Sequence, residues 1–204
     1  MTGARVKLLL LRGAAAVAAG ATVLILDEFT AANGTALSGR APSPTNTPGF
    51  NWANLKGAWT IQSNRAKATT LDDGVARCAV DSGVSDFVAR TIFNPSAAAI
   101  ADSNVIALLV RLTDAGNYWA IGTQGHTFNI FQVGPGFDNR ASASVTINAG
   151  VDHEIEVTVS GTEISATLNG GNLLTYSSSV HQTSTKVGMW ASADTPFDDL
   201  TVEQ

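Results

Sequence analysis

The sequence predicts an all-β fold of two antiparallel sheets packed face to face, and three observations carry that reading. From Asp27 onward, short apolar or alternating runs are separated by turn formers, and no segment keeps helical periodicity over three turns. The segment HEIEVTVSGTEISATLNGGNLLTY alternates strictly: Ile155, Val157 and Val159 against Glu154, Glu156 and Thr158, then Ile164, Ala166 and Leu168 against Glu163, Ser165 and Thr167. That is an antiparallel hairpin with one wet face. The run NVIALLVRL is apolar on both faces from Val105 to Val110, as in a mid-sheet strand whose second face is also shielded. Short strands of both kinds in one chain make a sandwich.

In chain order, the first 26 residues stand apart, because MTGARVKLLLLRGAAAVAAGATVLIL is almost devoid of polar side chains. Arg5 and Lys7 followed by an apolar stretch, with small residues from Ala18 to Ala21, resemble a secretory signal. Arg12 interrupts the stretch, and neither half reaches the ~20 residues a membrane span needs. The preferred reading is an apolar arm, two short strands around a small-residue connector, with Val6, Leu8, Leu10, Val23 and Ile25 docking on a neighbouring subunit. The expected division is an arm over 1–26 and a sandwich over 27–204.

After the arm, SGRAPSPTNTPGF carries Pro42, Pro44 and Pro48 and reads as a long surface loop. The strands expected beyond it are WTIQ (59–62), VARCAV (75–80), DFVARTIF (86–93), NVIALLVRL (104–112), YWAIG (118–122) and TFNIFQV (127–133). They continue with SVTIN (144–148), HEIEVTV (153–159), EISATL (163–168), KVGMWAS (186–192) and DLTVEQ (199–204). The breaks between them contain NG, DDG, DAGN, GPG, NAG, SGT, NGG and ADTP.

Composition bounds the rest. At 204 residues and 21.1 kDa, with 45% hydrophobic and 14% charged residues, one domain has ample material for a core. The net charge of -5 argues against nucleic acid or an anionic membrane as partner. A lone Cys78, in an alternating run, makes no intramolecular disulfide and reads as a small core hydrophobe.

The order of motifs resembles a known superfamily. An opening DEFTAANGTALSGRAPS, then WANLKGAWTIQSNRA, NVIALLVRLTDAGNYWAIG, the hairpin with its NGG turn and a closing KVGMWASADTPFDDLTVEQ are similar to concanavalin A-like lectins and glucanases. More narrowly they resemble the laminin-G-like modules of bacteriophage structural and secreted bacterial proteins. The resemblance spans roughly Asp27 to Gln204. It implies a jelly roll whose first and last strands, around DEF and FDDLTVE, lie side by side.

The chemistry offered is that of binding. The E-x-D-x-x-E strand of the glucanase branch is absent, and Glu154 with Glu156 belongs to the wet face of a hairpin. No G-x-S-x-G elbow accompanies His126, His153 or His181. No cofactor is expected beyond calcium, which some relatives carry; the candidate ligands are Asp27, Asp198 and Asp199 where the first and last strands meet. Glycan binding needs an exposed aromatic with amides or guanidinium beside it. The candidates are Tyr118, Trp119 and Trp190 with Arg111, Asn129 and Gln132, and adjacent Tyr118 and Trp119 must point to opposite sheet faces. Trp52 and Trp59 are assigned to the core.

The expectation is thus a non-catalytic virion component of a bacteriophage, decorating a capsid or tail surface. Its arm would sit on neighbouring subunits in a homo-oligomer, and its sandwich would carry glycan affinity. The alternatives are a secreted carbohydrate-binding module and, more weakly, a glycoside hydrolase.

Overall fold

A computed structural model describes residues 21–44, 50–101 and 103–204. The described strands are β1 (Val23–Asp27), β2 (Ala53–Lys56), β3 (Ala58–Ile61), β4 (Ala66–Thr70), β5 (Ala76–Asp81), β6 (Phe87–Phe93), β7 (Val105–Asp114) and β8 (Asn117–Gln124). They continue as β9 (Thr127–Val133), β10 (Phe137–Ser144), β11 (His153–Ser160), β12 (Glu163–Leu168), β13 (Gly171–Ser177), β14 (Lys186–Ala191) and β15 (Pro196–Glu203). A single 3-10 turn, Ala97–Ile100, is the only helical element among the described residues.

These strands form two antiparallel sheets. One runs β13-β12-β11-β6-β15-β4-β3, with β1 also on β15, and the other runs β10-β9-β8-β7-β14-β5-β2. The first and last strands lie side by side, Asp27 opposite Leu200 and Ile25 opposite Val202. The register of the long hairpin follows from alternation: Ile155, Val157 and Val159 face Leu168, Ala166 and Ile164. Its next turn is Asn169-Gly170, both at positive φ (54° and 70°), the left-handed pair that a tight two-residue hairpin demands.

Between the sheets lies the main core, with Trp52 and Trp59 buried in it. Strand β7 divides its residues between two environments. Ile106, Leu108 and Val110 enter the main core, while Val105, Ala107 and Leu109 join a second apolar cluster on the outer face of the seven-stranded sheet. The doubly apolar run is thereby accounted for.

Two expectations need correction. Residues 145–148 are not in a strand; the strand is β10, ending at Ser144, after which Val145 N bonds to His126 O and Ile147 is buried as a loop anchor. Small, polar FDNRASAS hides an edge strand, while VTI advertises one through β-branching that serves burial instead. The expected proline-bearing loop is a loop in its described part, 38–44, where Glu28 N donates to Ser43 O and Gly39 N to Trp52 O. Finally, the arm's end belongs to the domain: Ile25 is in the main core and unavailable to a neighbouring subunit, and Val23, half exposed, pairs opposite Glu203. Val6, Leu8 and Leu10 lie outside the described residues.

Candidate functional site

The outer face of the seven-stranded sheet is where an unpartnered surface and an aromatic cluster coincide. Alternation along the strands puts Ala79 of β5, Trp190 of β14, Ala107 and Leu109 of β7, Tyr118 and Ala120 of β8, and Phe131 of β9 on this side. Register then stacks them. Ala79 faces Gly188, which faces Leu109, then Ala120, Phe131 and Asn139; in the adjacent row Trp190 faces Ala107, then come Gly122, Asn129 and Ser142. The middle of the face is therefore paved with glycine and alanine, and the rings fold over it.

The rings form one connected layer. Tyr118 meets Trp190 edge-on at 6.0 Å, Trp190 meets Phe137 at 5.7 Å, and Phe137 stacks on Phe131 at 4.6 Å. Tyr118 is fully buried beneath its neighbours, Trp190 keeps 8% of its surface and Phe137 keeps 45%. Phe137 is thus the ring of this layer that presents itself to solvent. It arrives there because Gly134-Pro135-Gly136 turns the chain between β9 and β10, setting Phe137 opposite Val133.

Polar groups border the rings on two sides. On β9 and β10, Asn139 Nδ2 donates to Asn129 Oδ1 at 2.9 Å, while Asn129 Nδ2 is held by Thr127. On β5, the Arg77 guanidinium lies 5.5 Å from the Tyr118 ring and 5.4 Å from the Trp190 ring. Its Nη1 donates to Ala115 O and to the Tyr118 hydroxyl, and its Nε has no partner. Burial pushes the Tyr118 hydroxyl above its ordinary pKa, with Arg77 opposing. The other described arginines rest on carboxylates: Arg40 on Asp27, Arg65 on Asp152, Arg90 on Glu156 and Glu203, Arg111 beside Asp86 and Arg140 on Asp138.

Of the residues expected to bind glycan, the structure brings Tyr118, Trp190 and Asn129 to this face and separates the others. Trp119 points the opposite way, fully buried in the main core with Nε1 donating to Val180 O, so it is no stacking platform. Arg111 is fully buried at a left-handed bulge (φ 49°) and reaches across to the other sheet's turns, donating to Gly161 O beside Asp86. Burial lowers its pKa. Gln132, three residues from Asn129, falls on the opposite side of its strand and accepts from Arg140 Nε. Tyr118 is a buried support rather than a contact surface.

The reading of the sequence missed Phe137, Phe131, Asn139 and Arg77. Phe131 and Phe137 flank QVGPG, and hairpin alternation carried through that turn would have put them on one face with Tyr118. Arg77 gave no signal, since nothing local distinguishes it in VARCAV.

The three acidic residues expected at a calcium site are not gathered into one cluster. Asp27 is fully buried and spent: its oxygens accept from Arg40 Nη1 and Nη2, Trp52 Nε1 and Phe29 N. Asp198 Oδ1 accepts from Asp199 N, and Oδ2 lies 3.6 Å from Arg65 Nε. Among the described residues no group of three or more His, Cys, Asp and Glu side chains is placed to hold a metal. An open depression of about 560 Å³ lies elsewhere, along β4 and the approach to β15, lined by Gln62, Ser63, Lys67, Thr69 and Asp194 among others, without an aromatic ring. It lacks a stacking surface. Glu156 is engaged by Arg90 on the far side of the eight-stranded sheet.

No protein-family model and no curated protein matches the sequence. Solved structures do match the fold. A carbohydrate binding module, CBM66 from Bacillus subtilis, superposes with a TM-score of 0.64 at 18% identity, over 75% of this chain and 95% of that one. The fold is the concanavalin A-like jelly roll. Domain 4 of AbnA, a GH43 extracellular arabinanase from Geobacillus stearothermophilus in complex with arabinotriose, gives 0.58 at 11% identity, over 90% and 93%. The exoplasmic/lumenal domain of VIP36 in its Ca2+/Man3GlcNAc-bound form gives 0.54 at 12% identity, over 82% and 86%. At such identities the likeness is one of architecture.

Proposed function

We propose that this domain is a non-catalytic carbohydrate-binding module whose sugar lies on the outer face of the seven-stranded sheet. The observation that carries the reading is Phe137, a ring 45% exposed yet stacked on Phe131 and braced by Trp190. A flat apolar ring held rigid in this way offers a hydrophobic surface to the C–H face of a pyranose at little cost in side-chain entropy. Asn139, exposed and already aligned by Asn129, supplies the amide that reads a hydroxyl. Two structures sharing the fold are described as sugar-bound and a third as a carbohydrate binding module, which supports the reading without locating the site.

A glycan array followed by calorimetry tests it. Phe137→Ala should lower affinity for the retained glycan by about tenfold or more, equivalent to ~1.4 kcal/mol, with the domain still folded and its melting temperature lowered only modestly. Binding that survives this substitution at full strength places the sugar elsewhere or removes the function.

The proposed contacts use no calcium; the VIP36 structure carries that ion, whereas Asp27 here has no oxygen to give one. The finer reading, display of this face on a virion surface by an arm docked on a neighbouring subunit, rests on the apolar sequence before β1, the low charge, the doubly apolar β7, the absence of catalytic motifs and the resemblance to modules of bacteriophage structural proteins. Deleting residues 1–20 tests it: an assembly that forms normally without them sinks the arm, and a soluble, sugar-binding remainder separates the two functions.

A further inference from the structure

Of the six arginines among the described residues, Arg77 alone has no carboxylate within ion-pair distance. It is also the arginine set in the aromatic layer, between Tyr118 and Trp190, with Nη1 anchored and Nε unpartnered. A guanidinium fixed among rings and lacking a counter-charge is an incomplete ion pair; with Nη1 committed to Ala115 O and the Tyr118 hydroxyl and Nε buried, Nη2 is the nitrogen that an incoming carboxylate meets. Arg77 and Phe137 flank the same indole, at 5.4 and 5.7 Å from the Trp190 ring. Both therefore border the same ring, within the reach of one sugar or of two linked ones. The chain as a whole carries -5, so attraction of an acidic ligand cannot come from the general field and has to be local.

We propose that this face takes an acidic glycan, a uronate chain with one ring on Phe137 and a carboxylate, of that ring or of its neighbour, on the Arg77 guanidinium. The inference rests on the reading of the outer face as a sugar site and adds the chemical class of the ligand. Stacking would serve any pyranose; the unpaired charge selects among them, because a neutral sugar leaves Arg77 as it was while a carboxylate gains charge-assisted hydrogen bonds in an apolar setting.

Calorimetry with the full chain, using tetragalacturonate and its methyl ester as paired probes, tests the charge alone because the two differ little in shape. The acid should bind at least about tenfold more tightly than the ester, and its affinity should fall with added salt. Arg77→Gln should lower binding of the acid to the level of the ester, and Arg77→Lys, keeping charge without the fork, should fall between them. An ester that binds as well as the acid overturns the inference, as does a preference that persists in both Arg77 variants. Should neither probe bind while a neutral glycan binds in a Phe137-dependent way, the acidic class is refuted and the sugar face stands. Binding of every glycan that ignores Phe137→Ala refutes the face itself, and this inference with it. Circular dichroism and melting of each variant separate loss of contact from loss of fold.

Discussion

Asp27 and Arg40 meet through both carboxylate oxygens and both terminal nitrogens, Nη1 to Oδ2 at 2.5 Å and Nη2 to Oδ1 at 2.9 Å. Trp52 Nε1 adds a third donor at 2.8 Å and Phe29 N a fourth. The carboxylate, fully buried at the end of β1, thus fastens a proline-bearing loop that has few backbone ladders of its own. Removing it leaves the Arg40 guanidinium and the Trp52 N–H without their acceptor, which is costlier than never having had the pair. Asp27→Ala should destabilise the domain by about 3–5 kcal/mol in urea unfolding. A loss below roughly 1 kcal/mol would show that water replaces the carboxylate freely.

The close approach of β7 and β8 under the outer face depends on Gly122. A Cβ on Gly122 would come within 2.0 Å of Ile106 O and 2.5 Å of Ala107 Cα, both backbone atoms of the adjoining strand. Backbone cannot swing aside as a side chain does, so β7 and β8 would have to part at the centre of the sheet. Gly122→Ala is expected to cost at least the ~1–3 kcal/mol of ordinary overpacking and to broaden the amide spectrum of both strands. A melting temperature within a degree of the parent would show that the strands are free to separate.

How much of this was legible beforehand differs from element to element. The hairpin of β11 and β12 declared itself because each face has one environment, so a period of two survives intact. Strand β7 was placed in mid-sheet by the same logic, its two apolar faces demanding two covers. The site was harder, since its chemistry is assembled across strands. Tyr118 and Trp119 are neighbours in sequence and opposites in space, whereas Arg77 and Phe137 are sixty residues apart and flank one indole. Composition cannot say which ring of a layer is outermost, because that depends on sheet curvature and register. Nor can it say that Asp27, acidic and near a strand end, is already spent on Arg40.

Acid should weaken the fold through Asp152. Its hydrogen bonds from Arg65, and beyond them from Asn94, hold the carboxyl below the usual aspartate range, and Arg65 is raised in turn. A depressed folded-state value means that the unfolded chain binds the proton first, so this stability is present above the unfolded aspartate value, near ~3.9, and is lost as pH falls through the folded one. Half of the Asp152 side chain is exposed, so the effect is small. Asp152→Asn should flatten the acid limb of a stability–pH curve and leave its neutral plateau only slightly lower; an acid limb of unchanged slope would assign the linkage to other carboxyls.

The thiol of Cys78 should be silent in the folded protein. It faces the main core from β5, fully buried, and burial pushes its pKa well up, so the thiolate that a disulfide reagent needs is scarce and screened. Labelling should proceed only at the rate of opening and become rapid in denaturant. Fast labelling under native conditions would mean that the two sheets part locally at β5.

Trp190 links stability to binding, and its substitutions should separate the two. The indole touches Tyr118, Phe137 and Arg77, and its Nε1 donates to Ser192 Oγ at 3.1 Å. Trp190→Ala empties the middle of the ring layer, with the ~3–5 kcal/mol expected for truncating a buried large aromatic. It also frees Phe137 to leave its stacked position, so glycan affinity should fall although Trp190 itself exposes little surface. Trp190→Phe retains a ring between Arg77 and Phe137 while giving up the Ser192 bond. It should recover much of the affinity with only part of the stability. The two readouts thus distinguish a support from a contact: if Trp190 touched sugar chiefly through its indole edge, phenylalanine would restore the fold and leave binding as weak as alanine does.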